Sequence, residues 1–300
     1  MSSDEQQRTR QGILLAMAAY TMWGIAPIYF KSISEVSPLE ILSHRVIWSV
    51  FLLAGLLHLG RRWHAVRDAF KTKKTMVYLC TTALLVGVNW LLFIWAVNTN
   101  RMLDASLGYY INPLLNVILG MLFLGERLRK LQWFAVALAA AGVIIQLIAF
   151  GSVPIVAFAL ASTFGVYGLL RKKIALEAQV GLFIETVIML PLAAFYLLVI
   201  SDSPTAVMTN NPASLNLLLI CAGFVTTLPL LCFTGAATRL KLSTLGFFQY
   251  IGPSLMFLLA VSVYGEQFTT DKVLTFTFIW SALVLFTFDG VKQSKRVKSR

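Results

Sequence analysis

The tetrapeptide Tyr110-Ile111-Asn112-Pro113 occurs again, with one substitution, as Tyr250-Ile251-Gly252-Pro253. The offset between the two copies is 250 − 110 = 140 residues. Gly125-Glu126 occurs again as Gly265-Glu266 at the same offset. A constant spacing over several segments indicates that one unit has been duplicated, because chance reuse of a short motif would not keep register.

The composition around these motifs predicts a membrane protein. Hydrophobic residues make up 58% of the 300 residues and charged residues 13%, against about 45–50% and about 25% in soluble domains. A membrane-spanning helix needs about 20 apolar residues. Ten such segments are predicted, at residues 12–30, 39–59, 76–98, 103–124, 132–149, 152–170, 180–199, 214–236, 243–264 and 273–289. The alternative to the fifth and sixth spans is one long helix over 131–170, without a turn at Gly151, Ser152 and Pro154.

The basic residues predict the orientation, because ten spans put both termini on one side. That side receives Arg8, Arg10, Arg61, Arg62, Arg67, Lys71, Lys73, Lys74, Arg127, Arg129, Lys130, Arg171, Lys172, Lys173, Arg239, Lys241, Lys292, Lys295, Arg296, Lys298 and Arg300. The other side receives Lys31, Arg101 and Lys272. Cytoplasmic loops carry the Lys/Arg excess, so both termini are expected in the cytoplasm and the chain in the plasma (inner) membrane. The first span is expected to remain as a signal anchor.

Each half contains five spans, and an odd number inverts the second half relative to the first. The expected fold is an all-α polytopic membrane protein, with ten transmembrane helices as two inverted five-helix repeats. The expected segments are an N-terminal tail at 1–11, repeats at 12–149 and 152–289, and a basic tail at 290–300. Inverted repeats are typical of transporters that bind substrate near the midplane. The pattern therefore predicts a secondary transporter of a small polar metabolite or drug-like molecule, working by alternating access.

Other functional classes are less consistent with the sequence. The formal charge of +12 sets orientation here and does not indicate nucleic acid binding. Cys80, Cys221 and Cys232 lie in apolar runs without metal-ligand spacing, so neither metal nor cofactor is expected. A nucleotide-binding motif is missing, so a gradient of protons or another ion, or passive exchange, would drive transport. The alternatives are a membrane-embedded enzyme, a pore or a non-transporting scaffold, and the substrate, direction and oligomeric state stay open.

Several motifs together resemble a known family. In order they are Trp23-Gly24-Ile25-Ala26-Pro27, His44-Arg45, Asn89-Trp90-Leu91-Leu92-Phe93, Tyr110-Ile111-Asn112-Pro113, Gly125-Glu126, Arg171-Lys172-Lys173 and Tyr250-Ile251-Gly252-Pro253. In order and spacing the chain resembles the EamA-type branch of the drug/metabolite transporter superfamily, most closely the RarD group. The resemblance implies ten helices, inverted repeats, a central cavity, and export or exchange of small molecules. The chain departs from the broader pattern after the second Gly-Glu, where small packing residues are fewer.

Charged residues inside the spans are the sharpest site candidates. Arg45 lies about six residues into the second span, roughly 9 Å deep, where a charge costs about 2.5–3.5 kcal/mol. It is expected to face a cavity and hold a substrate carboxylate or phosphate, unless it is a snorkelling or structurally paired arginine. Glu185 is its repeat mate, since 45 + 140 = 185. It could bind a substrate amine, carry a coupling proton or close a gate, or pair with Lys172 or Lys173. His44 is a second candidate for proton coupling, or else a packed residue.

Polar and aromatic residues in the middle of spans are the other candidates for a cavity lining, with interhelical hydrogen bonding as the alternative. They are Tyr20, Trp23, Asn89, Tyr109, Tyr110, Asn112, Asn116, Gln249 and Tyr250. Four prolines are expected to interrupt helices as hinges or kinks: Pro27, Pro113, Pro229 and Pro253. Glu126 and Glu266 are expected to be loop carboxylates beside glycine C-caps, and Asp289 an interfacial charge.

Overall fold

The computed structural model describes residues 3–98, 102–151, 153–174, 176–263 and 270–298, and their regular elements are all helices. The α-helices are α1 (Ser3–Ser32), α2 (Pro38–Leu59), α3 (Trp63–Lys71), α4 (Lys73–Asn98), α5 (Met102–Leu124), α6 (Lys130–Phe150), α7 (Ile155–Ile174), α8 (Ala178–Phe195), α9 (Ala213–Ala237), α10 (Leu242–Gln249), α11 (Ile251–Ser262) and α12 (Thr270–Lys298). Within these residues ten helical segments are long and apolar enough to cross a membrane, which confirms the predicted all-α polytopic fold.

The spans differ from the predicted ones in detail. The fifth and sixth are separate helices, so the single helix over 131–170 is wrong. Gly151 ends α6 with φ of 72°, a left-handed conformation that glycine adopts without steric cost. The ninth span is two helices, α10 and α11, which meet at Tyr250. The seventh ends in a π-helical turn, Tyr196–Ile200, and α12 continues through most of the predicted C-terminal tail.

The prediction had no helix between the second and third spans, where α3 lies. Val66 and Ala69 of α3 are buried, and they join a hydrophobic cluster with Leu57 of α2, Leu79 of α4 and Val180 of α8. Packing of this apolar side stabilises a nine-residue helix that would be marginal alone.

The pairs of neighbouring helices follow the 140-residue offset. The packing of α1 on α9 corresponds to that of α7 on α4, α1 on α11 corresponds to α7 on α5, and α2 on α9 corresponds to α8 on α4. In three further contacts, α6 with α12, α2 with α8 and α5 with α10, a helix packs against the helix that lies 140 residues later in the chain. Tyr250 donates a hydrogen bond from its hydroxyl to the carbonyl of its own repeat mate, Tyr110, at 3.3 Å. This arrangement is compatible with the inverted repeat inferred from the sequence.

Polar contacts join the helix ends on the side where the chain begins, here called the basic face. Arg8 near the start of α1 donates to the carbonyl of Thr238 after α9 at 2.9 Å. Lys172 near the end of α7 donates to the carbonyl of Ala237 at 3.2 Å. Ion pairs Arg62–Glu177 and Arg129–Asp289 lie on the same side. Asp289, which was predicted to be an interfacial charge, lies in α12 and forms an ion pair with Arg129, just before α6.

Candidate binding cavity

A cavity of about 130 Å³ lies between α1, α2, α4, α5, α7, α9 and the α10–α11 pair. Its walls include Phe30 near the end of α1, Arg45 near the start of α2 and Phe93 near the end of α4. These positions place the cavity in the half of the bundle away from the basic face. The described lining is Tyr20, Trp23, Ala26, Pro27, Phe30, Arg45, Asn89, Trp90, Phe93, Gly108, Tyr109, Asn112, Leu160, Phe164, Leu230, Gln249, Gly252, Pro253 and Met256.

The structure brings most of the predicted site residues to this cavity and leaves others elsewhere. Those on the lining are Arg45, Asn89, Tyr109, Asn112, Tyr20, Trp23 and Gln249, with Pro27 and Pro253. Glu185, Asn116, Tyr110, Tyr250, His44, Pro113 and Pro229 are not among the described lining residues. Helices α1, α5 and α9 continue through Pro27, Pro113 and Pro229, where kinks remain a prediction, and the ninth span is divided at Tyr250, three residues before Pro253.

Arg45 presents a planar cation to the cavity. Its Nε donates to the Thr226 hydroxyl at 2.7 Å, and Cζ lies 4.7 Å from the Trp90 ring centre and 5.5 Å from that of Phe30. Two aromatic rings over a desolvated guanidinium offset part of its burial cost. Among the described residues, no carboxylate forms an ion pair with it and its two terminal amino groups have no hydrogen-bond partner. Arg45 can therefore bind an anion without breaking an existing pair.

Aromatic side chains form the walls around Arg45. The Trp23 ring lies 5.7 Å from that of Phe164 in an edge-to-face contact, and Phe93 lies 6.0 Å from Tyr109. Phe30, Phe164 and Met256 also line the cavity and were not predicted to do so. Apolar spans contain many such residues, and the only signal available was their spacing on a face shared with a polar candidate.

The amide side chains are mostly committed to interhelical hydrogen bonds. Asn89 donates to the Leu160 carbonyl at 2.9 Å, and Asn112 donates to the Ala161 carbonyl at 3.0 Å. Asn116 donates to Asn112 at 3.0 Å and to the Gln249 oxygen at 3.1 Å, which ties α5 to α10. The Tyr20 hydroxyl is buried without a partner, although its residue lines the cavity.

Glu185 lies in the opposite half of the bundle, inside a closed polar network. Its carboxylate is 3.4 Å from the Arg171 guanidinium, and the two side chains are 1% and 2% exposed. It also accepts hydrogen bonds from Thr82 at 2.5 Å and Tyr167 at 3.4 Å. The alternative that paired Glu185 with Lys172 or Lys173 named the wrong residue of the basic loop, because Arg171 is the one that contacts Glu185. A methyl group on Gly181 would overlap Arg171 Nη1, so glycine leaves room for the guanidinium.

His44 does not face the cavity. Its Nδ1 accepts from the Trp48 indole at 3.3 Å, and its Nε2 is buried without a partner. One turn earlier, Glu40 is fully buried and accepts hydroxyl hydrogen bonds from Ser201 at 2.8 Å and Thr205 at 2.5 Å. The sequence analysis did not single out Glu40, because an acidic residue in a first helical turn is common.

Glu126 caps the ninth span. Its carboxylate accepts from the backbone nitrogens of Leu242 at 2.6 Å and Ser243 at 3.0 Å, the first residues of α10. Gly125 reaches this position with φ of 63°. Glu126 was predicted to be a loop carboxylate beside a glycine turn. The structure adds that this carboxylate binds the N-terminus of α10, the positive end of the helix dipole. Glu266 lies outside the described residues.

Comparison with known proteins identifies the family. The EamA-like transporter family profile matches residues 10–148. An uncharacterized transporter of Vibrio cholerae is 72% identical over 288 residues, covering 96% of this chain and 95% of that protein. Protein RarD of Salmonella typhimurium is 60% identical over 292 residues, covering 97% and 99%. The chain belongs to the RarD group of the EamA-type drug/metabolite transporters.

The fold of this RarD-group chain is also found among solved structures. One crystal structure matches with a TM-score of 0.72 at 19% identity, covering 92% of this chain and 97% of the other. At that identity the likeness concerns the fold alone. Family and fold together make the chain a transporter-like, multi-pass membrane protein.

Proposed function

We propose that the protein is a secondary transporter that moves a small molecule across the membrane by alternating access. The observation that carries this proposal is the cavity itself. Four pairs of its described lining residues are related by the 140-residue offset: Tyr20 and Leu160, Trp90 and Leu230, Tyr109 and Gln249, and Asn112 and Gly252. Residue pairs that both halves contribute lie around the axis that relates the halves. The same residues can therefore line a cavity that opens to either side of the membrane.

The lining residues whose mates are elsewhere support the same cycle. Arg45, Pro27 and Phe93 line the cavity, and their mates at 185, 167 and 233 are Glu185, Tyr167 and Phe233. Tyr167 and Phe233 now stack with ring centres 6.1 Å apart, beside the Arg171–Glu185 pair. We propose that these buried groups form the gate on the basic face, and that they line the cavity when the two halves exchange conformations.

The remaining assignments follow from this proposal. The basic face is the cytoplasmic one, so the cavity faces the outside in this conformation. Arg45 is the charged contact for the substrate, and Glu185 acts as a gate residue and a candidate for a coupling proton, with His44 as the second candidate. A gradient drives transport, and the chain is not an enzyme. Among the described residues, no cluster of three His, Cys, Asp or Glu side chains supports a metal-dependent enzyme.

Thiol labelling tests the cycle without knowledge of the substrate. In a background with Cys80, Cys221 and Cys232 replaced by Ala, a membrane-impermeant reagent applied to the basic face should label Tyr167→Cys. The control is Ile184→Cys, equally buried beside Glu185 but in the cluster around Leu57 and Val180, which should stay unlabelled. If Tyr167→Cys reacts no faster than the control, the bundle does not open to that face and alternating access is wrong.

Flux in proteoliposomes tests the activity. Purified protein should take up or release at least one small molecule from a cell extract, and Arg45→Ala should reduce that flux. If no compound crosses in a protein-dependent way, the transporter assignment fails.

A further inference from the structure

We propose that the substrate of the cavity is a singly charged anion with a flat, apolar body, such as an aryl carboxylate. This inference rests on the proposed transport function and specifies its substrate class. Three features of the described lining support it: the way in which Arg45 is held, the aromatic composition of the walls, and the unpartnered hydroxyl of Tyr20.

The first feature is that the guanidinium of Arg45 is fixed in orientation. Nε is held by Thr226, and Cζ lies over the rings of Trp90 and Phe30, 4.7 Å and 5.5 Å from their centres. The terminal amino groups are left as a fork, which matches the two oxygens of a carboxylate. Arg45 is the one charged side chain among the described lining residues. One positive charge balances a single negative charge, so a carboxylate fits better than a doubly charged phosphate.

The second feature is the composition of the walls beyond this charge. Trp23, Phe93 and Phe164 line the space next to Arg45, together with Tyr109 and Met256. Trp23 contacts Phe164 edge-to-face, and so does Phe93 with Tyr109, so aromatic rings form much of the lining. A planar apolar group can stack on such faces, and its burial stabilises binding in proportion to the area removed from water. A compact hydrophilic anion would leave these walls uncovered.

The third feature is an unpartnered polar group of the lining. The Tyr20 hydroxyl is buried without a partner, and its residue is 2% exposed. A buried hydroxyl of this kind costs free energy until something binds to it. A hydroxyl on the end of the aryl body away from the carboxylate would supply both a donor and an acceptor.

Binding of radiolabelled 4-hydroxyphenylacetate to the full-length protein in nanodiscs tests the inference. Unlabelled phenylacetate should compete within about tenfold of the hydroxylated compound. Benzylamine, acetate and phenyl phosphate should each compete at least about tenfold more weakly, which corresponds to about 1.4 kcal/mol. Benzylamine lacks the anion, acetate lacks the body, and phenyl phosphate carries the second charge.

Two arginine variants locate the bound anion. Arg45→Gln should weaken binding at least about tenfold, whereas Arg67→Gln, at an exposed position of α3, should leave it unchanged. Because Arg45→Gln removes a buried group and could misfold, the competition series on the unmodified protein decides the question by itself. Equal competition by benzylamine or by acetate overturns the inference, and so does unchanged binding in a folded Arg45→Gln protein.

The result also separates this inference from the transport proposal. If 4-hydroxyphenylacetate does not bind while another class of molecule crosses proteoliposomes, the substrate class is wrong and transport stands. If it binds at Arg45 but neither it nor any other compound crosses, the site stands and the transport proposal fails.

Discussion

Arg45 and Glu185 are 140 residues apart and lie at the same position within their helices, yet their surroundings differ. Each lies seven residues after the first residue of its helix, Pro38 in α2 and Ala178 in α8. Arg45 contacts aromatic rings and a hydroxyl and faces the cavity. Glu185 is enclosed with Arg171, Thr82 and Tyr167 in the closed half.

The difference separates two ways of holding a charge inside a membrane protein. A charge at such depth costs about 2.5–3.5 kcal/mol if it is not compensated. Glu185 is compensated within the protein, so it holds helices α4, α7 and α8 together. Arg45 has a hydroxyl and two aromatic rings around it and, among the described residues, no carboxylate partner. We propose that the Arg171–Glu185 pair, the paired site, holds the bundle closed and that Arg45, the unpaired site, binds the substrate.

The largest expected effect comes from leaving the paired site with one charge. Arg171→Met leaves Glu185 buried beside hydroxyls alone, and should lower the free energy of unfolding by about 3–5 kcal/mol. Unfolding in SDS, followed by circular dichroism, measures it. The double variant Arg171→Met/Glu185→Leu removes both charges and should recover most of the loss. If the single and double variants are equally unstable, the ion pair does not act as a unit.

The next effect comes from the space that the paired site requires. Gly181→Ala would place a methyl group against the Arg171 guanidinium, and should cost about 1–3 kcal/mol by overpacking. The matched control is Gly55→Ala in α2, where a methyl group meets nothing within 4 Å. The control should be neutral or stabilising by up to about 1 kcal/mol, because alanine favours a helix. Equal stability of the two variants would contradict the placement of Arg171 against α8.

The unpaired site should respond in function more than in stability. Arg45→Ala should lower substrate flux in proteoliposomes by at least about tenfold, or about 1.4 kcal/mol. Its unfolding in SDS should change less than that of Arg171→Met, since no carboxylate among the described residues loses its partner. A loss of stability as large as that of Arg171→Met would mean that Arg45 is structural.

The smallest expected effect tests whether closure of the basic face extends beyond the ion pair. Glu126→Gln keeps a hydrogen-bond acceptor at the start of α10 but removes the negative charge. The loss should be about 0.5–1 kcal/mol of the free energy of unfolding, as for a charge at a helix N-terminus. Glu126→Ala, which also removes the acceptor, should cost up to about 2 kcal/mol. An Ala variant as stable as the Gln variant would exclude Glu126 as a cap.

Much of the fold could be predicted because it depends on local properties of the chain. Span length follows from apolar run length, and the turn at Gly151 follows from glycine next to Ser152 and Pro154. Short α3 escaped prediction because its stability depends on a buried side packed on three other helices. The break at Tyr250 was expected only as an effect of Pro253, three residues later.

The candidate site was likewise predictable only in part. Counting along the chain was enough to find the polar residues within apolar spans and the pairs of them separated by 140 residues. Which of these residues share a cavity depends on how the helices pack, and the arrangement of the helices shows it. Each residue turns a helix by about 100°, so Arg171 meets Glu185 while Lys172 and Lys173 point elsewhere. Thr226 reaches Arg45 across 181 residues of sequence, because helix packing, which no local pattern encodes, brings α2 and α9 together.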